Sequence, residues 1–152
     1  MIIPAGKDCS IAVAISGGVD SAVAAALLKE QDQAVFGITM LLPDTSEDSS
    51  KAAALVANRL DIPLHTIDLR DRFSHLIIEP FIASYLEGET PNPCVLCNRL
   101  VKFGLLMEHA RSLGASMLAT GHYARVFRDA DGNHPLMAAI ERKKDQSYFL
   151  AV

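Results

Sequence analysis

The sequence predicts an α/β fold in which a parallel sheet is flanked by helices on both faces. Three observations predict it. The runs at 11–15 (IAVAI) and 34–40 (AVFGITM) carry no charge and no polar alternation, as strands buried on both faces of a parallel sheet do. Such runs alternate with segments of helical composition, the pattern of strand–helix–strand units. The chain has 152 residues, 50% hydrophobic and 21% charged, enough for one domain with a real core and too apolar for a disordered segment.

Residues 1–10 read as a short irregular lead-in marked by Pro4, Gly6 and Asp8, with Cys9 just before the first strand. Ligands of an open parallel sheet sit at the carboxyl ends of its strands, so Cys9 is expected at the wrong end for chemistry. After the strand at 11–15, Ser16, Gly17 and Gly18 allow a tight reversal without Cβ obstruction, and 19–29 continue as an Ala-rich helix. That helix start is an anion site, because its N–H groups are unpaired and the dipole is positive there. Asp20 and Ser21 fall in the first turn, where a carboxylate can hold Mg²⁺ and a hydroxyl can donate to a phosphate oxygen. The loop lacks the Lys-Ser/Thr pair of a Walker motif and the spaced glycines of a dinucleotide fingerprint. SGGVDS instead resembles the pyrophosphate-binding (PP) loop of ATP pyrophosphatases, which adenylate a substrate and release pyrophosphate.

The second strand, 34–40, ends on Met40, which is either a core residue or a neighbour for an adenine ring. A loop rich in acids and hydroxyls (43–48) leads to a helix at 51–60, and a third strand covers 64–69. His65 and Asp68 lie in that strand with nothing nearby to complete a catalytic set. Residues 71–85 read as helix in two pieces broken at Pro80, with Phe73, Ile77, Phe81 and Tyr85 as one core stripe.

The stretch 89–98 (ETPNPCVLCN) reads as an extended loop set by two prolines, with the next helix beginning at Cys97 or Asn98. Leu100, Phe103, Leu106, Met107, Ala110 and Leu113 recur with a helical period up to Gly114. A thiol at a helix start has its thiolate favoured, which makes Cys97 a candidate nucleophile. From spacing alone, Cys94 and Cys97 are a reactive pair, part of a metal or iron–sulfur site completed elsewhere, or two small buried residues. A fourth strand at 115–120 ends in Gly121-His122-Tyr123, where Gly121 permits close approach of a ligand and His122 could donate to a phosphate or an RNA backbone. Residues 124–128 and 136–140 read as a hairpin, and the basic segment 142–147 as a solvated face.

Composition narrows the class further. No apolar run reaches the ~18 residues of a membrane span, and residues 1–10 lack the form of a signal peptide. An odd cysteine count of three fits a reducing compartment, so a cytoplasmic protein is expected. Net charge is −4, which disfavours a free-standing nucleic-acid binder. The charge is uneven: residues 1–76 hold 6 Lys/Arg against 10 Asp/Glu, and residues 77–152 hold 8 of each, so any polyanion contact belongs to the second half.

SGGVDS at 16–21, TPNPCVLCNRLVKFG at 90–104, ATGHYAR at 119–125 and KDQSYFL at 144–150 together resemble the tRNA-specific 2-thiouridylases, in this order and at similar separations. The resemblance implies an adenine-nucleotide α-hydrolase fold, a Rossmann-like three-layer sandwich. It also implies ATP- and Mg²⁺-dependent sulfur transfer to a wobble uridine, with tRNA and a persulfide donor protein as partners. Carried over, Ala14, Ile15, Ser16, Gly17, Gly18, Val19, Asp20 and Ser21 would hold ATP, with Met40 and Gly121 near the adenosine. Asn92, Pro93 and Cys94 would meet the target base, Cys97 would be the catalytic cysteine, and His122, Lys144, Asp145 and Gln146 would touch tRNA. Many members have Asp where Cys94 stands, and C-x-x-C variants resemble thiolases that bind a 4Fe–4S cluster through three cysteines. In the family a partner cysteine and two further domains follow KDQSYFL, so residues 1–152 are expected to be a PP-loop catalytic domain cut short at its C-terminal end. Two other functions share the fold: adenylation of a small molecule or sulfur carrier, and a nucleotide-binding module that works with a separate subunit.

Overall fold

The computed structural model describes residues 10–151; Cys9 lies outside them. Four parallel strands, β1 (Ser10–Ala14), β2 (Ala34–Leu41), β3 (Leu64–Asp68) and β4 (Met117–Ala119), form one sheet in the order β3-β2-β1-β4. The register pairs Ala12 with Phe36 and with Leu118, and Thr39 with Thr66.

The non-alternating strand sequences follow from burial on both sides. On one face Ile11, Val13 and Ile15 pack against Ala25 and Leu28 of α1 (Val19–Glu30) and Ala53 of α2 (Glu47–Leu60). On the other, Ala12, Phe36 and Ile38 pack against Leu106 and Ala110. Those two belong to a continuous helical segment, 93–112, made of α5 (Pro93–Cys97), a π-helical stretch (Asn98–Leu106) and α6 (Met107–Ser112). The three-layer arrangement is the one expected.

Three helix boundaries differ from the sequence reading. The segment 70–86 is not broken at Pro80. It runs from α3 (Arg70–Phe73) through a π-helical turn (Ser74–Ile78) into α4 (Glu79–Leu86), with Pro80 in the first turn of α4. The widened turn precedes the position where proline lacks its N–H, so helical geometry continues through it. Its stripe also fades, with Ile77 buried but Tyr85 54% exposed. Next, α2 begins at Glu47 within the expected loop, because the Ser46 side chain accepts from the Ser49 N–H as an N-cap.

The third boundary concerns the thiols. The loop at 89–98 is not extended throughout: Asn92 caps a helix that opens with Pro93 at its first position, and the Asn92 side-chain Oδ1 accepts from the N–H groups of Cys94 and Val95. Cys94 therefore sits in the first turn and Cys97 beyond it. The π stretch also moves the buried face. Val101 and Leu106, five apart, are fully buried while Phe103 and Leu113 are over a third exposed.

At the C-terminal end β5 (Arg125–Val126) and β6 (Leu136–Met137) form the expected hairpin, shorter than expected. A 3₁₀ turn (Arg142–Lys144) and α7 (Ser147–Leu150) follow. No helix among the described residues is long and apolar enough to cross a membrane.

Candidate functional site

β1 is followed in the sheet by β2 on one side and β4 on the other, so the winding direction reverses between β1 and β4. A crevice opens at the carboxyl ends of strands at such a point. A cavity of 710 Å³ lies there, lined from β1 and its loop by Ala14, Ile15, Ser16, Asp20 and Ser21, and from β4's end by Thr120, Gly121, His122 and Tyr123. Met40 lines it while also packing in the core, so both sequence readings of that residue hold. Lys144, Asp145 and Gln146 close a further side. Eleven of the residues singled out from the sequence thus share one cavity.

The loop is built for close packing. Gly17 has φ +84°, and a Cβ there would stand 2.8 Å from Ala52 Cβ and 3.0 Å from the Ser49 carbonyl oxygen. Gly18, the N-cap of α1, brings no side chain to the helix start, which leaves first-turn N–H groups for an external acceptor. Ser21 is not the free donor expected: it is buried and its hydroxyl donates to the Gly18 carbonyl at 3.0 Å while accepting from the Ser16 N–H at 3.3 Å. Its job is to brace the loop. Gly121 lines the cavity and also meets a second demand, since a Cβ there would lie 2.8 Å from both Asp20 C and Ser21 N. The close approach it permits is that of the α1 backbone.

Asp20 faces Tyr123, whose hydroxyl donates to Asp20 Oδ1 at 2.8 Å and whose own proton is held more tightly because of that carboxylate. Tyr123 is fixed from behind by Gln146: the Tyr123 N–H donates to Gln146 Oε1 at 2.8 Å and the Gln146 N–H to the Tyr123 carbonyl at 3.0 Å. Lys144 stands 5.6 Å from the Tyr123 ring centroid. Asp145 accepts from the Ala139 and Ser147 N–H groups and the Ser147 hydroxyl, which holds its carboxyl below the ordinary value. Residues 142–144 are exposed, as expected, but Asp145 and Gln146 form a half-buried strap.

The sequence reading missed Lys102. It lines the cavity, and its ammonium donates to His122 Nε2 at 3.4 Å. His122 Nδ1 pairs with Thr120 Oγ1 at 2.7 Å, and burial first, then Lys102, pushes its pKa down. Both ring nitrogens are therefore engaged inside the protein.

The cysteines, Asn92 and Pro93 do not line the cavity but belong to the helix that sends Lys102 into it. Cys97 packs against the cluster of Leu69, Ile77 and Val101, together with the cavity residues Met40 and Leu42. Asn98, 2% exposed, donates from Nδ2 to the Phe149 carbonyl at 2.8 Å and so ties this helix to α7. Burial raises the Cys97 thiol, and Cys94 adds to the rise against the opposing pull of Lys102. Burial thus works against the helix-start activation expected from the sequence, and Cys97 lies past the first turn, where the dipole acts most. Cys94 is exposed, and both thiols are free. Among the described residues no group of three or more His, Cys, Asp or Glu side chains converges as a metal set. His65 and Asp68 are structural: His65 stacks edge-on with Phe36, and Asp68 takes a bidentate grip from Arg70.

The family model described as the tRNA methyl transferase HUP domain matches residues 9–152. The tRNA-specific 2-thiouridylase MnmA of Pelobacter propionicus is 56% identical over 144 residues, 92% of this chain and 41% of that protein. The MnmA protein of Trichlorobacter lovleyi is likewise 56% identical over 144 residues, and the chain spans about two fifths (41%) of its length. Among solved structures, a glutamine-dependent NAD+ synthetase from Acinetobacter baumannii, in complex with ADP, superposes with a TM-score of 0.57 at 24% identity, over 77% of this chain and 22% of that one. The chain belongs to the tRNA methyl transferase HUP domain family, with the parallel α/β fold that this structural likeness shares.

Proposed function

We propose that residues 1–152 act as the nucleotide-binding catalytic domain of an ATP-dependent tRNA 2-thiouridylase. The observation that carries this reading is a single cavity, at the reversal point of the sheet, that gathers the SGGVDS loop and the GHY segment and receives Lys102 from the C-x-x-C helix. Its 710 Å³ suits a nucleotide. The triphosphate lies against Ser16–Ser21 and the start of α1, where N–H groups and dipole favour an anion. Adenosine lies toward Met40 and Gly121.

Asp20 suits Mg²⁺, since Mg²⁺ is commonly held by one or two carboxylates plus substrate phosphates, and Tyr123 is bonded to Oδ1 alone. When bound, the ion neutralises charge on the departing pyrophosphate. A three-cysteine 4Fe–4S site does not fit the described residues, which supply Cys94 and Cys97 with no third ligating side chain grouped beside them.

Uracil C2 is a poor electrophile. Attack of its O2 on the α-phosphorus expels pyrophosphate and leaves an adenylated base. The terminal sulfur of a persulfide on Cys97, loaded by a donor protein, then attacks C2 and AMP departs. A second thiol takes the enzyme-side sulfur as a disulfide and frees the thiocarbonyl. Cys94, three residues earlier on the helix, is the described thiol with that reach, and an external reductant restores the pair. The base leaves its anticodon stack to meet Asn92, Pro93 and Cys94, with the strap Lys144, Asp145 and Gln146 toward the RNA, while His122, both of whose ring nitrogens are engaged, stays within the protein.

The test is pyrophosphate release from ATP that depends on a tRNA with a wobble uridine. Cys97→Ser should keep ATP affinity within about twofold and lose thiolated product. Sulfuration by Cys97→Ser at the parent rate ends the assignment.

A further inference from the structure

Lys102 lies five residues after Cys97, inside the π-helical stretch Asn98–Leu106. In an α-helix residues five apart point roughly 140° away from each other. In a π-helix the hydrogen-bonded span is itself five residues, so they lie near one face. The widened helix sets Lys102 closer to the thiol's side than an α-helix would, and Lys102 lines the nucleotide cavity, half-buried, with its ammonium 3.4 Å from His122 Nε2.

An ammonium can only donate, so His122 Nε2 carries the lone pair and Nδ1 the proton, which goes to Thr120 Oγ1 at 2.7 Å. The imidazole has no donor left for a guest. Lys102 has two, because one of its three N–H groups is used. The ring of Phe103, 6.0 Å from that of His122, backs the imidazole. The other lysines of the cavity, Lys143 and Lys144, are exposed on the 3₁₀ turn, with Lys144 over Tyr123.

We propose that Lys102 is the cation that grips a phosphate of the bound nucleotide, and that His122 is a positioning residue that aims its ammonium into the cavity. This rests on the nucleotide reading above and names the group that reading left unassigned. A phosphate could also come from RNA, and the two sources separate by experiment.

Binding of ATP, of adenosine and of a wobble-uridine tRNA is measured on the 152-residue chain and on Lys102→Met and Lys102→Arg, with circular dichroism to confirm folding. Lys102→Met should weaken ATP roughly 10- to 100-fold, the scale of one charged hydrogen bond, and leave adenosine within twofold. Lys102→Arg should keep most of the ATP affinity. Long-range ¹H–¹⁵N spectra should show His122 protonated on Nδ1 in the parent chain and moving toward Nε2 in Lys102→Met. The proposal is overturned if folded Lys102→Met binds ATP like the parent, if ATP and adenosine weaken alike, or if tRNA weakens and ATP does not. His122 protonated on Nε2 in the parent removes its positioning role. A parent chain that binds no ATP overturns the nucleotide reading itself, a result distinct from all of these.

Discussion

At Gly17 two constraints coincide, a positive φ of +84° and contact with α2 at 2.8 Å from Ala52 Cβ. Gly17→Ala pays both, and about 1–3 kcal/mol of stability should be lost, read from urea denaturation. Cys97 carries a thiol raised by burial, so between the ordinary thiol value and the raised one the folded chain keeps a proton that the unfolded chain has lost, and stability falls as pH rises through that window. At pH 7 iodoacetamide should label the exposed Cys94 peptide well before the Cys97 peptide, read by mass spectrometry; equal rates would contradict the burial. Asp68 shows the opposite sign. Arg70 draws its pKa down to about 2, so its contribution is present above about pH 4, fades as pH falls toward 2, and is small because the pair is exposed to solvent. An NMR titration should find that low value and Arg70→Ala should return it to the ordinary range.

Among elements, the strap at 142–150 owes its place to side-chain oxygens rather than to a strand or a long helix. Asp145 accepts three hydrogen bonds and Gln146 clamps Tyr123 at both backbone groups. Asp145→Ala should speed amide exchange at Ala139 and Ser147 roughly tenfold. Because the Asp145 carboxyl is held below its ordinary value, acidification through that depressed value should loosen the strap in the same way, while neutral pH keeps it closed. The π-helical stretch is the other element with a consequence for the site. A regular α-helix would put Lys102 and the Val101–Leu106 pair on different faces from those observed.

For the whole molecule, Gly121 is the joint between the two halves of the cavity, where the end of β4 meets the first turn of α1. Gly121→Ala should push α1 off β4, lower stability by about 1–3 kcal/mol and weaken nucleotide binding together, measured by denaturation and equilibrium binding on one sample. Leu28→Ala, at a fully buried position of α1 away from the cavity lining, should cost about 2–5 kcal/mol without a selective effect on any ligand.

The strands and their burial on both faces were legible because a parallel sheet covered on both sides leaves short, uncharged apolar runs bounded by turn residues, whereas the order β3-β2-β1-β4 appears only in the structure. The loop was legible because a glycine with positive φ, a capping position and an acid in the first turn are local demands. The helix start at Pro93 was also written locally, in Asn92-Pro93, but two prolines in four residues read more readily as extended chain. Lys102 left no such trace. Its spacing from Cys97 is out of phase for an α-helix, and a π-helical turn is a response to packing rather than to local propensity. By itself the sequence determined the α/β class, the strand ends where the cavity lies and the chemical groups available there, since each depends on residues within a few positions of one another. Only the tertiary structure decided that Gly121 packs against the first turn of α1 and that His122 Nε2 is taken by Lys102, which faces the cavity, because those contacts join segments from twenty to about a hundred residues apart in the chain.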